Sequence, residues 1–208
     1  MGIDLSEIGM ERGMLYETVI TTSDSSDNMN ASPFGVICGG KDSVMCRIFK
    51  GGKTLDNIIK TGEFTVNISE NPLLFTFSIF NKLDEIEFGE DNSIKNIDAY
   101  FKCEVSDLIE AIKQSDPIRS NSQAIVIKAN VCKLVINNPV KAYNRSLSLI
   151  IESLVHCSRL DLLDSTQKEY SISRIKEASR VVKKVGSKKD KKAMDLIKSE
   201  LINKGYDL

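Results

Sequence analysis

Gly51-Gly52-Lys53-Thr54 is the stretch of this 208-residue chain whose types and spacing most directly suggest chemistry. The glycines and Lys53 stand just before an expected short helix, Thr54 to Lys60, with Leu55, Ile58 and Ile59 on one face and Gly62 as its stop. Free N–H groups and the helix dipole at such a start favour an anion. Lys53 adds charge, and Thr54 both caps the helix and can donate a hydrogen bond. Arg47, on the preceding strand, could supply a forked contact to a phosphate. The same residues also read as a Gly-rich hairpin with a Thr cap, and they do not by themselves decide between the two.

Other chemistries are narrowed by composition. His156 is the single histidine, which excludes a His-rich metal centre and leaves one residue for any Ser-His-Asp triad. The five cysteines, Cys38, Cys46, Cys103, Cys132 and Cys157, are odd in number with no pair at two-residue spacing. That argues against a disulfide framework and a zinc knuckle, and for reduced thiols in a cytoplasmic protein. Met1 to Gly13 is mixed polar and lacks the basic start and apolar run of a signal peptide. The apolar stretches are too short to span a bilayer, so no membrane partner is expected.

Leu15–Thr22, Ala31–Cys38, Ser43–Phe49, Glu63–Ser69, Ala99–Val105 and Ala124–Asn137 read as strands, rich in β-branched and aromatic residues and bounded by Gly or polar turns. Asn71-Pro72 opens a helix whose body, Leu73 to Phe80, is nearly all apolar and is expected to be buried. Leu83 to Asn96 is acidic and loop-like; its clustered acids, Glu85, Glu87, Glu90 and Asp91, lack the spacing of a calcium loop. Six strands with short helices between them suit a closed or half-closed barrel. No G-x-G-x-x-G turn is present, which disfavours a Rossmann site.

Charge marks a boundary. Residues 1–139 carry 13 basic and 20 acidic side chains, and residues 140–208 carry 15 basic and 9 acidic. After Pro139 the pattern turns helical: Leu147, Ile150, Ile151, Leu154, Val155 and Leu162 form one stripe, Ile172–Val185 a second helix stopped by Gly186, and Lys191–Asn203 a third stopped by Gly205. The chain therefore divides into residues 1–139, a β-barrel domain, and residues 140–208, a helical region.

The order of motifs resembles the flavin reductase-like FMN-binding split barrels, and within them an uncharacterised archaeal branch with an extra helical C-terminal region. The resemblance rests on Asn28-Met29-Asn30-Ala31-Ser32-Pro33-Phe34-Gly35, then Gly51-Gly52-Lys53-Thr54, then Thr61-Gly62-Glu63-Phe64-Thr65-Val66-Asn67-Ile68, and covers roughly residues 14 to 137. It implies a mainly β (α+β) fold, a six-stranded antiparallel Greek-key split barrel with short helices and a helical extension. It implies FMN as cofactor. Its phosphate would lie at Lys53 and Thr54, with Arg47 in reach, and the ring beside Asn30, Ala31, Ser32, Pro33 and Phe34. Asn67 would lie near the ribityl chain, and it reads at least as well as a strand Asn bonded to a neighbouring turn. Backbone N–H groups entering the strand, the Asn30 and Ser32 side chains, and the extended backbone held by Pro33 suit that purpose.

The resemblance further implies a homodimer with the flavin near the subunit interface. No residue is obliged to be a catalytic acid or nucleophile, and flavin chemistry does not require one. The functional expectation is an oxidoreductase moving a hydride or electrons between a nicotinamide or deazaflavin donor and an unnamed acceptor. The alternative is a flavin-binding or electron-carrier protein without turnover. Arg145, Glu152, His156 and Arg159 share one helix face, which reads first as a solvated face with spaced ion pairs. The basic run Lys183-Lys184 and Lys188-Lys189-Asp190-Lys191-Lys192 has no aromatic for base stacking and reads first as a solvated turn between helices. A nucleic-acid-binding role of the C-terminal helices ranks last.

Overall fold

The computed structural model describes residues 2–113 and 122–207, and within them every strand pairing is antiparallel. β1 (Leu15–Ser23) and β2 (Met29–Cys38) form a hairpin. Asp24 makes its turn: one carboxylate oxygen accepts the N–H groups of Ser26 and Asn28 at 2.8 and 3.0 Å. β3 (Ser43–Phe49) leads through Gly51, at φ +94°, into α1 (Lys53–Thr61), and β4 (Glu63–Ile68) follows. α2 (Pro72–Ile79) starts on Asn71, whose Oδ1 accepts the Leu73 N–H at 3.0 Å. β5 (Ala99–Lys113) and β6 (Ser122–Ile136) complete the set.

The strands close into a barrel in the order β1-β2-β3-β6-β5-β4, the six-stranded antiparallel α+β architecture expected from the sequence. Pairing is uneven around it. β1 and β2 share nine residue pairs and β3 and β6 share seven, but β2–β3 and β1–β4 share three each. The barrel is thus a hairpin, β1–β2, set against a four-stranded sheet, β3-β6-β5-β4, along two narrow seams. Ile20, Val36, Cys46, Ile48, Val66, Phe101, Cys103 and Ile127 fill the interior, each nearly inaccessible to solvent. Burying such side chains is the main source of stability. A second apolar cluster lies outside the barrel, where Leu74, Ile86, Ile94 and Ile97 cover Val19, Ala31 and Tyr100.

Two compact units emerge, Met1–Tyr143 and Asn144–Leu208. Residues just past Pro139 stay with the barrel because they bond to it. The Ala142 N–H donates to Ile8 O, and the Glu17 N–H donates to Tyr143 O, each at 2.8 Å. The second unit holds α3 (Ser146–Arg159), α4 (Ser165–Val185) and α5 (Lys188–Asn203) around Ile150, Leu160, Ile175, Val182, Met194 and Leu201. Among the described residues, no helix is long and apolar enough to cross a membrane. All five cysteines are free.

Three expectations need correction. α2 is not a buried helix: Leu73, Ile79 and Phe80 are 57, 63 and 70% exposed, because only the side bearing Leu74 and Ser78 meets the protein. The apolar stripe of α3 meets the core only in part, through Ile150. Leu147, Ile151 and Leu154 stand exposed, as does Leu162 beyond the helix, while Ser146, Ile150 and Ser153 are buried. The small serines pack closely at little cost, since Ser153 Oγ donates to Leu149 O at 2.7 Å and Ser146 Oγ is equally engaged. Finally, β5 runs eight residues past Val105, held by its pairing with β6.

Candidate functional site

The strand register brings the motif segments together around β1. Thr22 stands opposite Asn30, Thr21 opposite Ala31, Ile20 opposite Ser32, Val19 opposite Pro33 and Thr18 opposite Phe34. On its other edge β1 meets β4, with Val19 opposite Asn67 and Thr21 opposite Thr65. The Asn28–Gly35 and Thr61–Ile68 motifs therefore flank the same strand. The third motif reaches them through α1. Asn30 Nδ2 donates to Thr54 Oγ1 at 2.9 Å, and Asn57 Nδ2 donates to Thr22 Oγ1 at 3.1 Å. All four side chains are buried, so these bonds form in a dry setting where leaving them unmade is costly.

Thr54 is consequently not the helix cap. Gly52 occupies that position, with no side chain to cap, and Thr54 lies within the helix facing Asn30. Because an amide nitrogen can only donate, Thr54 Oγ1 is an acceptor in that bond and its own proton is left for another oxygen. Beside it, Lys53 is exposed and has no ion-pair partner among the described residues. Gly51 and Gly52 are exposed, and a Cβ added at either would meet nothing within 4 Å. Open space, a free ammonium and a helix start thus coincide at Gly51–Thr54, a combination suited to a phosphate.

Asn67 serves the fold. It is fully buried; its Nδ2 donates to Val19 O at 3.0 Å and Thr21 Oγ1 at 2.9 Å, and its Oδ1 accepts the Ile94 N–H at 2.8 Å. These bonds join β4 to β1 and hold the loop before β5. Arg47 is exposed on β3, with its guanidinium 5.6 Å from the centroid of the Phe49 ring, a cation–π contact. Ser32, Pro33 and Phe34 are half-buried, Phe34 against the barrel core, and Ala31 is buried.

Residues beyond those expected also frame this corner. Thr22 and Asn57 were not anticipated, although Thr54 and Asn57 sit at i,i+3 and so share a helix face. Asp91 and Asn92 both adopt left-handed backbone, at φ +55° and +58°, a conformation that Asp and Asn tolerate. Thr65 Oγ1 donates to Asp91 O, and Asn92 Nδ2 donates to Ser23 Oγ at 3.1 Å. The Asp91 carboxylate accepts from Lys133 Nζ and from Tyr100 Oη at 3.1 Å, and Lys133 foremost holds its pKa below the usual value. The loop is therefore pinned against β1, β4, β5 and β6.

Comparison with known proteins agrees with this architecture. Residues 16–138 match the family model described as "Protein of unknown function (DUF447) N-terminal domain", and residues 144–199 match "Protein of unknown function (DUF447)". An uncharacterized protein of Methanocaldococcus jannaschii, MJ1453, is 25% identical over 190 residues, covering 88% of this chain and 96% of that protein. The crystal structure of an FMN-bound DUF447 protein, MM1853 from Methanosarcina mazei, is 26% identical with a TM-score of 0.50, covering 94% of this chain and 99% of the other. A flavin reductase with a split barrel domain from Shewanella frigidimarina, itself an unproven assignment, is 16% identical with a TM-score of 0.47, covering 60% of this chain and 68% of the other.

Proposed function

The chain belongs to the DUF447 family, and from that membership we propose that its barrel unit binds FMN and uses it in oxidation and reduction. The observation that carries the reading is the likeness, along 94% of the chain, to an FMN-bound protein of the same family. The Gly51–Thr54 corner supports it, because its exposed glycines, free Lys53 and spare Thr54 proton suit the terminal phosphate. In this reading Lys53 and Thr54 hold the phosphate, and Asn30 orients Thr54 for it. The half-buried Ser32, Pro33 and Phe34 border the ring. Arg47, over the Phe49 ring, is the further candidate for a forked contact to the phosphate. Asn67 contributes indirectly, by holding β4 against β1.

FMN supplies the hydride- or electron-accepting chemistry when bound, and the protein's part is to bind, orient and shield it. The donor is a nicotinamide or a deazaflavin and the acceptor is unassigned. A homodimer fits the exposed apolar residues of the barrel unit, Leu73, Ile79 and Phe80 beside α2 and Leu108 and Ile109 on β5, which a second copy would cover. Five unpaired thiols suit a reducing cytoplasm.

The visible spectrum of the purified protein, followed by FMN titration read by fluorescence, tests the cofactor. Flavin absorption bands or a saturable fluorescence change support it; a colourless protein indifferent to FMN refutes it. Multiple turnovers with a reduced nicotinamide or deazaflavin donor then support the oxidoreductase reading. Reduction of bound FMN without turnover would replace it with electron carriage.

A further inference from the structure

We propose that the helical unit carries a non-sequence-specific binding surface for the phosphate backbone of nucleic acid, formed by Lys183 and Lys184 at the end of α4 and Lys188, Lys189, Lys191 and Lys192 at the start of α5. These six lysines fall within ten residues, on either side of the Gly186–Ser187 turn, and all are exposed. None has an ion-pair partner among the described residues.

The one acid in the run does not offset them. Asp190 is half-buried and turned into the unit, where its Oδ2 accepts from Ser146 Oγ at 2.8 Å, from the Ser187 N–H at 2.8 Å and from Ser187 Oγ at 2.9 Å. In the sequence it interrupts the basic run; in the structure it is withdrawn from the surface. The placement also opposes helix electrostatics. The first turns of a helix favour acids, yet α5 begins with four lysines in five positions. The Ser187–Asp190 capping box answers the dipole from inside, so the four lysines outside it are held by no acid of the run. Residues 144–208 hold 14 basic and 9 acidic side chains, so the excess extends beyond the corner.

The chemistry favours a phosphodiester chain over a lipid surface. Interfacial membrane binding needs apolar side chains beside the basic ones. Here Val182, Val185 and Met194 are buried in the unit's core. Within Lys183–Lys192 the exposed side chains are all lysines, suited to a ladder of phosphates, and that run holds no aromatic to read bases.

The test uses the full-length protein and labelled oligonucleotides of about 20 residues, one double-stranded DNA and one single-stranded RNA, followed by fluorescence anisotropy. Saturable binding is expected at about 50 mM salt, weakening steeply as salt rises. Lys188→Glu/Lys189→Glu/Lys191→Glu/Lys192→Glu should weaken it at least ~10-fold and flatten the salt slope, since each lost phosphate contact lowers that slope by about 0.9 on duplex DNA. The matching four Lys→Gln changes should fall between, and Lys82→Glu on the barrel unit should change nothing. Circular dichroism checks that each variant is folded. Binding to either nucleic acid supports the proposal, and the two arms identify which. No binding at low salt, or equal binding by the folded glutamate variant, overturns it. So does capture by anionic vesicles or polyglutamate with neither oligonucleotide bound.

Discussion

Asn30 on β2 and Thr54 on α1 share a buried hydrogen bond of 2.9 Å, and through it the strand motif and the glycine-lysine motif are parts of one assembly. The bond spans from the hairpin to the element that follows β3, across a seam of only three backbone pairs. A double-mutant cycle with Asn30→Ala and Thr54→Val, followed by urea denaturation, should give a coupling energy of about 1 kcal/mol. Coupling near zero would mean that the two side chains act independently.

Lys53→Ala should weaken FMN binding about tenfold or more with little change in the urea midpoint. A hydrogen bond to a charged group is worth about 1.5–3 kcal/mol, whereas an exposed, unpaired lysine contributes little to folding. Unchanged affinity in a fluorescence titration would remove Lys53 from the phosphate site.

Asn67 should behave in the opposite way. Asn67→Leu leaves Val19 O, Thr21 Oγ1 and the Ile94 N–H without their partner in a buried position. A loss of about 3 kcal/mol of stability is expected, read as a lower urea midpoint. A variant as stable as the parent but deficient in FMN binding would restore Asn67 to a ligand role.

Asp91 gives a pH signature. Lys133 and Tyr100 hold its folded pKa below the unfolded value of about 3.9. A lowered acid pKa adds stability above the unfolded value, and that stability is lost as pH falls through the folded one. Asp91→Asn keeps a residue tolerant of left-handed backbone and removes the charge. The variant should be less stable than the parent near neutral pH, and the gap should close below about pH 4. A gap that persists at low pH would point to geometry rather than charge.

Thiol reactivity checks the cysteine environments. Burial pushes Cys46 up to about 12 and raises Cys103 well above its ordinary value. Cys132 is the exposed thiol. An aromatic disulfide reagent should modify Cys132 first in the native protein, and all five only after denaturation. Rapid modification of Cys46 or Cys103 in native protein would mean that the barrel opens readily.

Legibility in the sequence varied with the physics of each element. Ser43–Phe49 is bounded by glycine pairs and was readable to the residue, and Asn71-Pro72 announced α2 through its cap. The start of α4 was missed because Ser165 to Ser171 is mostly polar; its signal was the Asp164–Gln167 capping box. The outer half of β5 depends on its partner β6, which no local pattern encodes. At the candidate corner, type and order singled out Asn30, Lys53, Thr54 and Asn67, and Asn67 also read as a strand residue bonded to a turn, but the partners themselves were not legible. Thr54 as a bonded helix residue and Asn67 as a buried tie both follow from register, and register is a property of the closed barrel.

The two narrow seams have a mechanical consequence. A cylinder joined by three rungs on each side can part like a hinged clasp, and here the rungs are reinforced by buried amides: Asn30 and Asn57 tie the hairpin to α1, and Asn67 ties β4 to β1. FMN seated against Ser32–Phe34 on the hairpin and Lys53–Thr54 on the opposing half would act as a pin through that clasp. Occupancy and breathing would then be one equilibrium, with each empty site a barrel a little freer to part.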